Sequence, residues 1–169
     1  MTRKLSRGRF AFSLRGTSLL LCLALILVSM PLMASEYPLE SVAFLSEKEV
    51  SSLKGLPAAT THEAGKALAS SKQRSKAAKK IGVKSKRLNE LASLFDLMRI
   101  EGIGPRMAQL FHATGLGSTQ ALSKENAEEL AKKLLETNGK KGIANKIPDA
   151  TILTDWIAQA KALPEQYSP

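Results

Sequence analysis

The residues best placed to do chemistry form one run, Leu97-Met98-Arg99-Ile100-Glu101-Gly102-Ile103-Gly104-Pro105-Arg106-Met107-Ala108-Gln109-Leu110-Phe111. Gly102 and Gly104 can take backbone angles closed to residues with side chains, and Ile103 between them is expected to plug inward. Pro105 suits the first helical position, where its missing amide hydrogen costs nothing. Met107, Ala108 and Phe111 form the expected buried face, the small Ala108 lets two helices cross closely, and Gly115 after Thr114 stops the second helix. The spacing is that of a helix-hairpin-helix, h-x-G-h-G-P-x-x-A. The chemistry it offers is anion binding: open amides around Gly102, Ile103 and Gly104, at the positive start of a helix, suit a phosphate oxygen. Arg106 in the first turn would add an ionic contact. Such a corner grips the backbone of duplex DNA without reading bases. The same turn can also serve only to join two packed helices or to meet a protein partner.

A second feature is the basic run of residues 66–87, which holds Lys66, Lys72, Arg74, Lys76, Lys79, Lys80, Lys84, Lys86 and Arg87 without an acid. Apolar Ala67, Leu68, Ala77, Ala78, Ile81 and Val83 are interleaved, so the segment reads as amphipathic helix, with a face that can follow a polyanion or simply stay solvated. It has no aromatic residue, which disfavours single-stranded nucleic acid held by base stacking. Lys132, Lys133, Lys140, Lys141 and Lys146 form a smaller cluster around an expected turn at Asn138-Gly139-Lys140-Lys141-Gly142.

Catalysis and metal binding find little footing. The 169 residues include 1 Cys and 2 His, at His62 and His112, too few for a thiolate zinc cage or an internal disulfide framework. There is no P-loop string. Helix-hairpin-helix glycosylases use a downstream Asp on a flipped base, and Pro148-Asp149 is only a faint echo that reads as a helix cap. The expectation is a non-enzyme without cofactor. His112 is expected to be partly buried, and Trp156 to be core.

The charge balance is 25 Lys+Arg against 15 Asp+Glu, net +10. Part of it belongs to residues 1–35, which carry Arg3, Lys4, Arg7, Arg9 and Arg15, then an uncharged run over 19–33, then Pro31, Ala34 and Ser35. A basic start, a short apolar stretch and a small-residue end are the parts of a secretory signal. The run is short beside the roughly 20 residues of a bilayer span. An uncleaved membrane anchor is the alternative, and the leucines before Cys22 argue against lipidation. Without these five bases the net charge falls to +5. The protein is therefore expected to be exported, periplasmic or secreted.

These features must be held by helices, since strand signals are scarce. Ser46-Glu47-Lys48-Glu49 is a capping box opening a helix that Gly55 should stop in the left-handed region. Thr60-Thr61-His62-Glu63 opens another, through Leu68. Ser85 is expected to cap a helix with Leu88, Leu91, Phe95 and Met98 on one stripe, with Asp96 and Arg99 as a local ion pair. Ser123 is expected to cap a helix through Leu130 and Leu134, and Pro148-Asp149 to open the last one. The fold class is all-α, a compact bundle of short helices. The division is a signal or anchor (1–35), a degenerate first helical repeat with a basic face (36–100), a clear helix-hairpin-helix repeat with a C-terminal helix (101–163), and a tail (164–169).

Asp96-Leu97-Met98-Arg99-Ile100-Glu101-Gly102-Ile103-Gly104-Pro105, with Thr137-Asn138, Lys146-Ile147-Pro148 and Asp155-Trp156-Ile157-Ala158-Gln159-Ala160-Lys161, resembles the bacterial domain of unknown function 4332 family over about residues 45–163. The resemblance implies a tandem helical fold in which a degenerate repeat precedes a clearer helix-hairpin-helix, and it implies no activity. Inserted Pro57-Ala58-Ala59 and the glycines Gly139 and Gly142 depart from the pattern. Two function classes remain. One is an exported module that binds duplex DNA or another polyanion through the hairpin and the basic face. The other is a cell-envelope adaptor that binds a protein.

Overall fold

The computed structural model describes residues 36–168; the proposed export signal lies outside them. Three of the first helices open on reciprocal capping boxes, each satisfying two amides that the helix itself leaves open. These are α1 (Glu47–Leu53) on Ser46 and Glu49, α2 (Thr61–Ala67) on Thr60 and Glu63, and α3 (Ser71–Ile81) on Ser70 and Gln73. The third box was not among the sequence expectations. Helix α4 (Ser85–Leu97) begins after Lys84 with no side-chain cap, so Ser85 lies inside the first turn and caps nothing. Helices α5 (Pro105–Ala113) and α6 (Thr119–Leu122) follow, the latter capped by Ser118.

Helix α7 (Ala127–Lys141) corrects two expectations. Its cap is Asn126, whose side chain accepts from the amides of Glu128 and Glu129, whereas Ser123 closes α6 and donates to the Gln120 carbonyl. The helix also runs straight through Gly139 and ends at left-handed Gly142, so the expected turn is helical. Only Lys146 of that cluster sits in a loop. Asp149 caps α8 (Ala150–Ala162) as expected, accepting from the Ile152 amide at 3.0 Å. Left-handed glycines occur at Gly82, Gly102, Gly115 and Gly142; Gly55 is not one of them, and α1 ends in an ordinary turn.

Helix α4 forms the axis. It packs on α2, α3 and α5; α5 packs on α7, and α8 on α6 and α7. The expected stripe of Leu88, Leu91, Phe95 and Met98 is buried, but so is every other residue from Leu91 to Ile100. From Leu91 onward the helix is enclosed on all sides, as its apolar Ala92, Leu94 and Leu97 allow. Asp96 and Arg99 are accordingly more than a surface pair. Both are buried, 2.8 Å apart; Asp96 also accepts from the Thr119 amide and hydroxyl, and Arg99 donates to the Pro164 carbonyl. Losing one partner of a buried pair typically costs about 3–5 kcal/mol. The arrangement is an all-α bundle, with no strand longer than the isolated Pro38–Thr60 bridge among the described residues.

Candidate nucleic-acid interface

The corner between α4 and α5 has the expected outline. Gly102 has φ of +90°, Ile103 is fully buried, and Pro105 is the first residue of α5. Ala108, Leu110 and Phe111 are completely buried, and the Phe111 ring meets Trp156 edge-on at 6.0 Å. Trp156 is core, as expected.

The amides of the corner divide. The Ile103 amide donates to the Ile100 carbonyl at 3.1 Å, and the Glu101 amide donates to the Gln159 side chain at 2.9 Å. A Cβ on Gly102 would come within 2.9 Å of the Trp156 indole nitrogen. The Ile103 amide is therefore occupied within the fold, contrary to the expectation that it would be open, whereas Gly102 is exposed and its amide has no such partner among the described residues. Gly104 behaves differently. Its backbone is extended, with φ of −83°, a conformation any residue can adopt. Glycine is useful there because a side chain would press on Tyr37, whose hydroxyl oxygen a Cβ would approach to 3.3 Å. It also supplies no capping oxygen, so no side chain occupies the first-turn amides of α5.

Beside this uncapped start is a cleft of about 390 Å³ lined by Ser41, Ala43, Gly104, Arg106, Asn145 and Lys146 among others, with no acidic residue in its lining. Arg106 is exposed and donates to the Asn145 side-chain oxygen at 3.2 Å. The loop that brings Asn145 and Lys146 here is fixed by Asn138. The Asn138 side chain accepts from the Ala144 amide and donates to the Ala144 carbonyl, at 2.8 and 2.9 Å. Asn145 was not legible as a site residue, because its place depends on where α7 delivers the loop.

The basic run separates into two kinds of residue. Lys72, Lys76, Lys79 and Lys80 are exposed and share one face of α3, and Lys84 and Lys86 are exposed around the start of α4. Among the described residues, none of these six joins an ion pair. Arg74 lies on the opposite face, in register with Ala77, Ala78 and Ile81, and is 1% exposed. Its guanidinium donates to the carbonyls of Leu68, Ala69 and Ser168 and to Asn89, and lies over the Tyr167 ring. Arg87 donates to Glu49 and to the Phe44 carbonyl and pairs with Glu90. Both arginines are occupied within the fold and leave the expected phosphate-binding set. None of the α3 lysines lines the Arg106 cleft; the lysine face and the hairpin are separate features.

The family profile described as Domain of unknown function (DUF4332) matches residues 44–163, and the chain belongs to that family. No characterised protein and no solved structure matches it. Among the described residues, no helix is long and apolar enough to cross a membrane.

Proposed function

We propose that this protein is an exported, non-catalytic helix-hairpin-helix module that binds the backbone of duplex DNA, or a polyanion of like spacing, without sequence preference. The observation that carries the reading is the start of α5: an uncapped helix beginning on Gly104-Pro105, beside a cleft holding two cations and no acid. A phosphate there meets open amides, the positive end of the helix dipole, Arg106 and Lys146. The α3 lysines add a second strip of positive charge that raises non-specific affinity.

Within this reading the chain is a tandem repeat. Helices α1–α4 and α5–α8 follow the same order, short, short, long, long, and in each half the third helix ends on a left-handed glycine, Gly82 or Gly142. Export, from the character of residues 1–35, makes the relevant DNA extracellular or incoming.

Two observations favour the adaptor class instead. Trp156 backs Gly102 and Gln159 takes the Glu101 amide, as in a hairpin that only packs, and Leu135 on α7 and Ile152 on α8 are exposed apolar side chains. The two readings separate in fluorescence anisotropy of a labelled random duplex with the full-length protein. Engagement of about four phosphates gives a log–log salt slope near −3.6, and Arg106→Glu weakens binding about tenfold or more. If neither salt nor the substitution changes affinity while the fold is intact, the DNA reading falls, and a pull-down from envelope extract tests the adaptor.

A further inference from the structure

At the far end of α5, about 13 Å from its start at 1.5 Å per residue, lies a larger cleft of about 570 Å³. Its walls come from α4 (Lys86, Asn89, Glu90), the end of α5 (His112), the cap of α6 (Ser118) and the C-terminal strap (Tyr167). Its volume falls within the range of small-molecule sites, about 300–1,000 Å³.

One buried cation holds two of these walls. The Arg74 Nε donates to the Asn89 side-chain oxygen at 2.6 Å, which leaves the Asn89 NH₂ as the free half of the amide. The same guanidinium donates to the Ser168 carbonyl at 2.6 Å and lies 5.1 Å from the centre of the Tyr167 ring, while the Ser168 amide donates to the Ala69 carbonyl. A third wall is fixed by Ser93, whose hydroxyl donates to the Gly117 carbonyl at 2.7 Å. Three of the lining side chains, Asn89, Ser93 and Tyr167, are therefore already set in place.

The polar groups on its walls are chiefly donors. Lys86 brings an ammonium, Asn89 an NH₂, and Ser118 a hydroxyl whose oxygen already accepts from the Ala121 amide, so its hydrogen remains to be donated. The acid of the lining, Glu90, pairs at 2.9 Å with Arg87, a cation it shares with Glu49. His112 and Tyr167 contribute rings. We infer that this cleft binds a small organic carboxylate carried on a flat, apolar body, with the carboxylate on Lys86, Asn89 and Ser118 and the body against the Tyr167 side. The site shares Lys86 with the basic run but none of the residues of the Arg106 cleft, which lies at the other end of α5.

The test is a titration of ¹⁵N-labelled full-length protein with sodium benzoate, neutral benzamide and inorganic phosphate, followed by amide chemical shifts. Benzoate is expected to give saturable shifts at Asn89, Gly117 and Ser118 and none at Arg106, with benzamide and phosphate about tenfold weaker or more. Lys86→Gln, at an exposed residue, is expected to weaken benzoate about tenfold and leave the remaining spectrum unchanged. Shifts that do not saturate, benzamide binding equal to benzoate, or an unaltered affinity in Lys86→Gln overturn the carboxylate site. Phosphate binding as tight as benzoate overturns the flat body.

Discussion

The starts of α1 and α5 use similar components to opposite ends. Each is the amino terminus of a short helix near an arginine. At α1, Ser46 and Glu49 occupy the open amides, and Arg87 reaches over from α4 to seal the Glu49 carboxylate. At α5, glycine stands at the capping position, no carboxylate is present, and Arg106 stays exposed with only Asn145 as partner. The difference shows what decides whether a helix start is structural or available. A carboxylate in the first turn consumes both the amides and the nearest cation, and without one both remain for an outside anion.

Three experiments test this contrast. Glu49→Ala removes half a capping box and leaves Arg87 with only Glu90 and the Phe44 carbonyl, and is expected to cost about 1–2 kcal/mol in urea unfolding. Arg106→Ala, in the first turn of the open start, is expected to stay within about 0.5 kcal/mol. Equal losses at the two sites would break the comparison. The next largest effect comes from converting one start into the other. Gly104→Asp places a carboxylate over the α5 amides in a backbone conformation that accepts it, and Tyr37 must yield slightly. Duplex affinity is expected to fall about tenfold or more while stability changes by less than about 1 kcal/mol; retained affinity would show that the α5 amides take no part.

The smallest effect is in pH. The Arg87 hydrogen bond, helped by Ser46 and opposed by burial, pulls the Glu49 carboxyl from its ordinary 4.5 down to about 2. A carboxylate lowered by folding stabilises the native state above its unfolded value, and that contribution is lost as pH falls from about 4.5 toward about 2. Solvent still reaches the pair, so the expected difference is about 1 kcal/mol. Glu49→Gln should flatten the acid limb of the stability profile by that amount, and an unchanged limb would assign the acid sensitivity to other groups.

Much of this was legible because it is local. The Ser46 and Thr60 boxes, the Pro105 start, the Asp149 cap and the burial of Ile103 and Trp156 each follow from neighbours within a turn or from a simple periodicity. The errors came from contacts made over distance. Arg74 looked like one more cation in a basic run, yet it binds a carbonyl 94 positions away, and Arg87 binds a carboxylate 38 positions away. Arg74 did carry a signal, its register with Ala77, Ala78 and Ile81, which places it on the apolar face of α3. Asn126 displaced Ser123 as a cap because it can reach two amides at once. The Asn145 position had no local signal at all.

Gly102 has one more consequence. The space its absent side chain leaves is filled by the indole of Trp156, and the chain contains a single tryptophan. Emission excited at wavelengths that its two tyrosines do not absorb therefore originates beside the hairpin apex. A ligand or substitution that disturbs this corner changes the intensity or colour of that light without any attached dye, so the protein carries its own optical gauge of the hairpin.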